Sequence, residues 1–251
     1  MTNDDGIRAP GLEALYDAVA DLGHVDVVAP AAAESATGHA ISINKPLLVK
    51  HLHVNNRFDG RSVAGRPADC VKLAVLELLE EPPDLVLSGI NAGANTGVNV
   101  LYSGTVAGAM EGALQGISSV AFSLELSEEL DFGRAGQVAR RVLEAYLEAP
   151  PAPGSCLSVN IPATGGTWPR GIRCCPQAPV SWEEHYRKEV NADGDAVYWL
   201  DGRLPDLSAA PDTDMAVLRA GYVSVTPLRG DMTDRTKLNP LAARNWPDTF
   251  A

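Results

Sequence analysis

Short apolar runs alternate with amphipathic stretches over the first two thirds of this chain, and that alternation restricts the fold to parallel βαβ units. A helix reads from Pro10 to Leu22, with Leu12, Leu15, Val19 and Leu22 at 3–4 spacing and Gly23 as its stop. A buried strand, Val25–Ala29, follows and is closed by Pro30. Pro67 opens a second helix with Val71, Ala74, Val75, Leu78 and Leu79 on one face. Pro82-Pro83 break the chain ahead of the strand Leu85–Leu87. A third helix, Thr105–Gln115, is built of residues small enough for close packing. The strand Ser119–Ser123, the helix Phe132–Leu147 and the strand Leu157–Ile161 complete the series. Such an order predicts an α/β fold with a doubly wound, mostly parallel sheet.

The connecting segments are polar. Ala31–His39 reads as a long loop, Ile41–Val54 as an extended hairpin, and Ser88–Gly104 as a glycine- and asparagine-rich loop. From about Pro162 the composition changes. Trp168, Trp182, Tyr186, Tyr198, Trp199 and Tyr222 are scattered among Gly, Pro and Asp, which predicts a β-rich hairpin extension. Within it, Val190–Leu200 turns on Asp193-Gly194, a hairpin signal, and Val223–Pro227 reads as a last strand. Residues 1–162 are thus expected to form the core and 163–251 the extension, with a mobile tail over Asn239–Ala251.

A net charge of −12 argues against nonspecific DNA binding and against docking on anionic lipid. Any anionic substrate must be held by a metal and by backbone N–H groups, against the overall field. The four cysteines, Cys70, Cys156, Cys174 and Cys175, form no CxxC pair, so neither a zinc site nor a disulfide framework is expected. No apolar run is long enough to span a bilayer and no signal peptide is visible, so the expected compartment is the cytoplasm.

Four features fall at the C-terminal ends of expected strands, the edge where ligands bind in open α/β sheets. The first is Asn3-Asp4-Asp5-Gly6. Two adjacent carboxylates on a strand-to-helix turn can grip a cation, or they can be a solvated, helix-capping pair. The second is the Ser35–His39 loop. The third is Ser88–Gly97, whose glycines permit close approach and whose asparagines offer amide oxygens. The fourth is Ser103-Gly104-Thr105 at a helix start, either an anion site or an ordinary N-cap. Other chemistries are absent: there is no GxSxG elbow, no GxxxxGK[ST] loop and no GxGxxG. The five histidines, including the His51-x-His53 pair, read as surface residues.

The segments TNDDG with APG following, VVAP then SATGHAI, PADCVKLA, PDLVLSGINAGANTG, YSGTVAGAMEGA, SVNIP and GYVSVTPL resemble, in order, the SurE (survival protein E) family of metal-dependent nucleotidases. The resemblance runs from about Thr2 to Thr236. It implies a Rossmann-like core and hydrolysis of nucleoside monophosphates to nucleoside and phosphate. It implies one divalent ion per subunit, Mg²⁺ or Mn²⁺, held by Asp4, Asp5, Ser35 and Asn91. Ser103, Gly104 and Thr105 would cradle the phosphate, with Asn3 and Asn95 lining the pocket. It further implies a homodimer or homotetramer with exchanged C-terminal hairpins.

Hard oxygen ligands of this kind suit Mg²⁺ or Mn²⁺ better than zinc. Such an ion neutralises phosphate oxygens and acidifies a water for in-line attack, so Asp4, Asp5 and Asn91 are the expected catalytic set. Two departures stand out. Family members carry an apolar strand ahead of TNDDG, where this chain has Met1. Either a central strand is missing through truncation or a misplaced start, or another segment fills its place. Arg66 replaces the family's usual threonine in the Gly65–Cys70 segment and is expected to point into solvent. The alternatives to a 5′-nucleotidase are a broader phosphomonoesterase acting on 3′-nucleotides or polyphosphate, and a non-catalytic nucleotide-binding protein should the missing strand disrupt the site.

Overall fold

A computed structural model describes residues 1–180, 183–203, 206–207 and 210–247. Trp182 and the last four residues of the expected tail lie outside the described residues. The elements in chain order are α1 (Pro10–Val19), β1 (Val27–Pro30), β2 (Val49–Val54), β3 (Phe58–Val63), α2 (Pro67–Leu73), β4 (Leu85–Ala92), α3 (Gly104–Leu114), β5 (Ser118–Leu124), α4 (Phe132–Leu147), β6 (Cys156–Ile161), β7 (Ile172–Cys174), β8 (Glu183–Val190), β9 (Ala196–Arg203), α5 (Asp214–Arg219), β10 (Val223–Leu228) and α6 (Arg235–Ala242). A π-helical turn over Ala74–Leu78 prolongs α2, and a 3₁₀ turn over Gly97–Leu101 precedes α3.

The strands form a five-stranded sheet in the order β4-β5-β6-β10-β7, a three-stranded sheet β1-β3-β2, and the separate hairpin β8-β9. β4, β5 and β6 run parallel, as do β1 and β3, while β10 runs antiparallel to β6. The two larger sheets are joined through the first two residues. Val28 N–H donates to Met1 O at 2.9 Å, Thr2 N–H donates to Leu87 O at 2.9 Å, and Gly89 N–H donates to Thr2 O at 3.0 Å. Met1 and Thr2 therefore stand where a full central strand would join β1 to β4. Behind them lies a cavity of about 970 Å³, lined by Val25 and Val28 on one side and Leu85, Val86 and Leu87 on the other.

Helices cover both faces of β4: α1 and α4 pack on one, α2 and α3 on the other. Small residues permit the close approach. A methyl group on Gly11 would collide with Ile90 O at 1.9 Å, and one on Gly112 would meet Ser119 Oγ at 2.5 Å and Val86 Cγ2 at 2.8 Å. The main core joins Leu15, Ile90, Phe122, Val142, Leu143 and Val159, all essentially out of water. Each large side chain buried in this way contributes about 1.5–3 kcal/mol.

Four sequence expectations shift. Helix α1 ends at Val19, and Leu22 lies beyond it, 46% exposed. The expected hairpin over Ile41–Val54 is instead Val49–Val63, reversing at Asn55 and Asn56, which both have positive φ. Asparagine tolerates that conformation, and two such residues in succession make the turn that matches strand twist. Strand β4 runs through Ser88–Ala92, residues expected to lie in the loop. The β-rich extension follows the expectation in its hairpin, where Asn191 Oδ1 accepts from the N–H groups of Asp193 and Asp195. The tail differs: α6 reaches Ala242 and covers the first residues of the segment expected to lack structure.

Candidate active site

Strand β4, the turn after Thr2, the loop before β2 and the start of α3 converge at one end of the sheet. Asp4 is 5% exposed and sits on the N-terminus of α3. Thr105 Oγ1–H donates to Asp4 Oδ1, and a methyl group on Gly104 would lie 2.7 Å from Asp4 Cβ and 2.9 Å from its Oδ2. Asp5 is half-buried, and its Oδ2 accepts from Ala92 N–H at 3.4 Å, just past Asn91. Glu34 N–H donates to Asp4 O at 2.8 Å, which brings the loop carrying Ser35 against the same turn. Asn3 Nδ2 donates to Gly6 O at 2.9 Å and closes the turn, while its buried Oδ1 has no partner.

The electrostatics of the pair are those of two carboxylates drawn out of water. Burial pushes the Asp4 carboxyl above its ordinary range, and the charge of Asp5 pushes it further against the pull of the Thr105 hydroxyl. Burial raises Asp5 as well. Among the described residues neither carboxylate forms an ion pair with Lys, Arg or His; the ion pairs of the chain lie elsewhere. Buried carboxylates without a counter-charge stay ionised only if positive charge is supplied. No group of three or more His, Cys, Asp or Glu suited to a metal occurs among the described residues. The available donors are two carboxylates supplemented by neutral oxygens, the set that hard cations take. Asn91 Nδ2 donates to Gly93 O at 2.8 Å, and its Oδ1 is the neutral acceptor that remains. Ser35 is exposed on its loop, one residue past the Glu34–Asp4 contact.

The start of α3 is a capped, buried helix end. Ser103 Oγ caps the helix by accepting from Val106 N–H at 3.1 Å, and Thr105 N–H is directed at the Asp4 carboxylate, which leaves the Gly104 N–H as the first-turn donor. Ser103 and Thr105 are buried. Asn95 is also buried, its N–H donating to Asn160 Oδ1 at 2.7 Å and its Nδ2 to Ser123 Oγ at 2.8 Å. The structure therefore pins the Asn95 loop to the ends of β5 and β6. Sequence reading missed Asn160 and Ser123, because nothing in a strand-end Asn or Ser announces a partner 65 or 28 residues away. It also missed Asp214, whose carboxylate receives Gly97 N–H at 2.9 Å and Ala178 N–H at 2.8 Å and so anchors the same loop to the C-terminal extension.

One expectation about another side chain changes: Arg66 is half-buried rather than in solvent, with Nη1 3.4 Å from Ser42 Oγ, and its buried Nε has no partner. His39 is at the surface as expected, and its Nε2 also lies 2.9 Å from Glu111 Oε2. A cavity of about 410 Å³ opens beside Asp5, lined in part by Arg8, Ala92, Leu130 and Phe132, within the size range of small-molecule sites. The larger slot beside Met1 is mostly apolar and holds none of these site residues.

Comparison with known proteins adds three findings. The family model for Survival protein SurE matches residues 1–184. The chain is 45% identical over 245 residues to the 5′-nucleotidase SurE of Nitratidesulfovibrio vulgaris, covering 97% of each sequence, and 41% identical over 245 residues to that of Syntrophobacter fumaroxidans, covering 98% of each. The crystal structure of the SurE protein from Aquifex aeolicus superposes with a TM-score of 0.82 at 37% identity, covering 96% of both chains.

Proposed function

We propose, from the premise that this chain belongs to the SurE family, that it is a metal-dependent 5′-nucleotidase releasing phosphate from nucleoside monophosphates. The observation that carries this reading is the Asp4-Asp5 pair, two carboxylates without a counter-charge, Asp4 pressed against the N-terminus of α3 and Asp5 against the end of β4. Asp4, Asp5, Ser35 and Asn91 would hold one divalent ion, Mg²⁺ or Mn²⁺. When bound, that ion supplies charge neutralisation and a water acidic enough to attack phosphorus near neutral pH.

The remaining chemistry belongs to the chain. Thr105 fixes the Asp4 carboxylate through its hydroxyl, so that the carboxylate needs little reorganisation. The N–H of Gly104, at the positive end of α3, steadies the phosphoryl oxygens as their charge redistributes, while the N–H and hydroxyl of Thr105 hold the Asp4 carboxylate beside them. Ser103 keeps that helix start in place. Asn3 closes the metal turn, and Asn95 lines the pocket from a loop tied to Asn160 and Ser123. The net charge of −12 makes this local positive field necessary, because the rest of the surface repels a phosphate ester.

Subunit exchange of the C-terminal hairpin completes the reading. The hairpin β8-β9 exposes Tyr186, Tyr198, Trp199 and Leu200, an aromatic surface of the kind that interfaces cover. Size-exclusion chromatography with light scattering tests it. A dimer or tetramer that becomes a monomer when residues 183–203 are deleted supports the exchange, and a monomeric full chain refutes it.

Phosphate release from 5′-AMP, 3′-AMP and polyphosphate, each with Mn²⁺ and with EDTA, tests the activity. Mn²⁺-dependent turnover with preference for 5′-AMP is expected. Equal or faster turnover of 3′-AMP or polyphosphate favours the broader phosphomonoesterase, and no turnover of any substrate leaves only nucleotide binding.

A further inference from the structure

We propose that the contact between His39 and Glu111 is a strap that holds the Ser35 loop in its metal-binding position and couples it to the helix that receives phosphate; the proposal rests on the metal reading of the site. Glu111 lies on α3, two turns past the phosphate cradle, and its side chain is 3% exposed. Its carboxylate has three partners: His39 Nε2 at 2.9 Å, Lys72 Nζ at 2.6 Å and Gln115 Nε2 at 3.1 Å. Burial alone would raise its pKa, but the hydrogen bonds from His39, Lys72 and Gln115 hold it down to about 2, so the strap is anchored on a permanent charge.

The loop between Glu34 and His39 is fixed at both ends and along its length. Glu34 N–H donates to Asp4 O at 2.8 Å, and Gly38 N–H donates to Tyr102 O at 2.9 Å. Thr37 Oγ1–H donates back to Glu34 O at 2.9 Å. Gly38 has φ +56°, and a methyl group there would lie 2.8 Å from Leu101 O, so the loop is seated tightly on the turn that leads into α3. Ala36 also has positive φ, an uncommon conformation for a residue with a side chain. A loop in such a conformation needs outside contacts to stay in it. The His39–Glu111 contact is the one made by a side chain of the loop to α3 itself. Ser35, otherwise exposed, follows the Glu34–Asp4 contact on this held loop.

His39 and Glu111 are thus positioning residues. They touch neither substrate nor ion, and they act through Ser35. Partners that orient metal ligands are commonly worth 10–100-fold in affinity.

The test is calorimetric titration of Mn²⁺ into the full chain as wild type, His39→Ala and His39→Gln, with the melting temperature of each in EDTA. His39 is partly exposed and Glu111 keeps Lys72 in both variants, so the fold is retained. His39→Ala is expected to weaken Mn²⁺ binding about 10-fold with an unchanged metal-free melting temperature, and His39→Gln, whose Nε2 can still donate to Glu111, to restore most of the affinity. Wild-type affinity in His39→Ala overturns the proposal alone. Wild-type protein that binds no Mn²⁺ overturns the metal reading, and the proposal with it.

Discussion

Gly104 and Asp4 are in such close contact that the helix start has no room for a side chain: a methyl group at Gly104 would lie 2.9 Å from the Asp4 carboxylate oxygen Oδ2. The glycine is required by this approach, not by backbone geometry, because its φ is not positive. Gly104→Ala should therefore displace the carboxylate while costing the fold only about 1–3 kcal/mol. A shift of a ligand by a fraction of an ångström can cost about 100-fold in rate. We expect kcat/KM for 5′-AMP to fall by about that factor with a small loss in melting temperature. Undiminished activity would show that Asp4 does not need its present position.

The Asp4 carboxylate should also lower the stability of the metal-free protein. Its folded pKa is raised by burial and by Asp5. A carboxyl shifted in that direction contributes most when protonated, and its contribution is lost as pH rises through the interval above the ordinary carboxylate value. Asp4→Asn removes the charge. In EDTA at neutral pH the variant is expected to melt above wild type, with the difference closing as pH falls through the carboxylate range. A variant that melts below wild type at neutral pH would contradict this.

Glu111 has the opposite sign. Its pKa is depressed from 4.5 to about 2, so its stabilising contribution is full above 4.5 and is lost as pH falls toward 2. Wild type should lose its stability advantage over Glu111→Gln across that window, measured by urea unfolding at successive pH values. An advantage that does not change with pH would mean that the carboxylate charge is irrelevant to the cluster.

Periodicity made the βαβ core legible: Leu12, Leu15 and Val19 define the buried face of α1, and Val120 and Phe122 lie in a buried β5. The acidic turn and the Ser-Gly-Thr helix start were legible as candidates through their joint placement at strand ends and their resemblance to the SurE motifs, since each alone reads equally as a helix cap. What could not be read is the set of long-range partners. Asn160 on Asn95, Asp214 on Gly97 and Glu111 on His39 are each single polar contacts that no local pattern encodes. The β2-β3 hairpin was misplaced for a local reason. Asn55-Asn56 was a usable turn signal, but the apolar residues from Ile41 to Leu48 imitated a strand that the structure does not form.

The most direct test titrates Mn²⁺ into wild type and Asp4→Asn and follows phosphate release from 5′-AMP on the same samples. Wild type should bind one ion per chain and turn over only when it is bound, while Asp4→Asn, with an unchanged circular dichroism spectrum, should neither bind nor turn over. Mn²⁺-dependent turnover that survives in Asp4→Asn would place the metal elsewhere and contradict the ligand set proposed for this site.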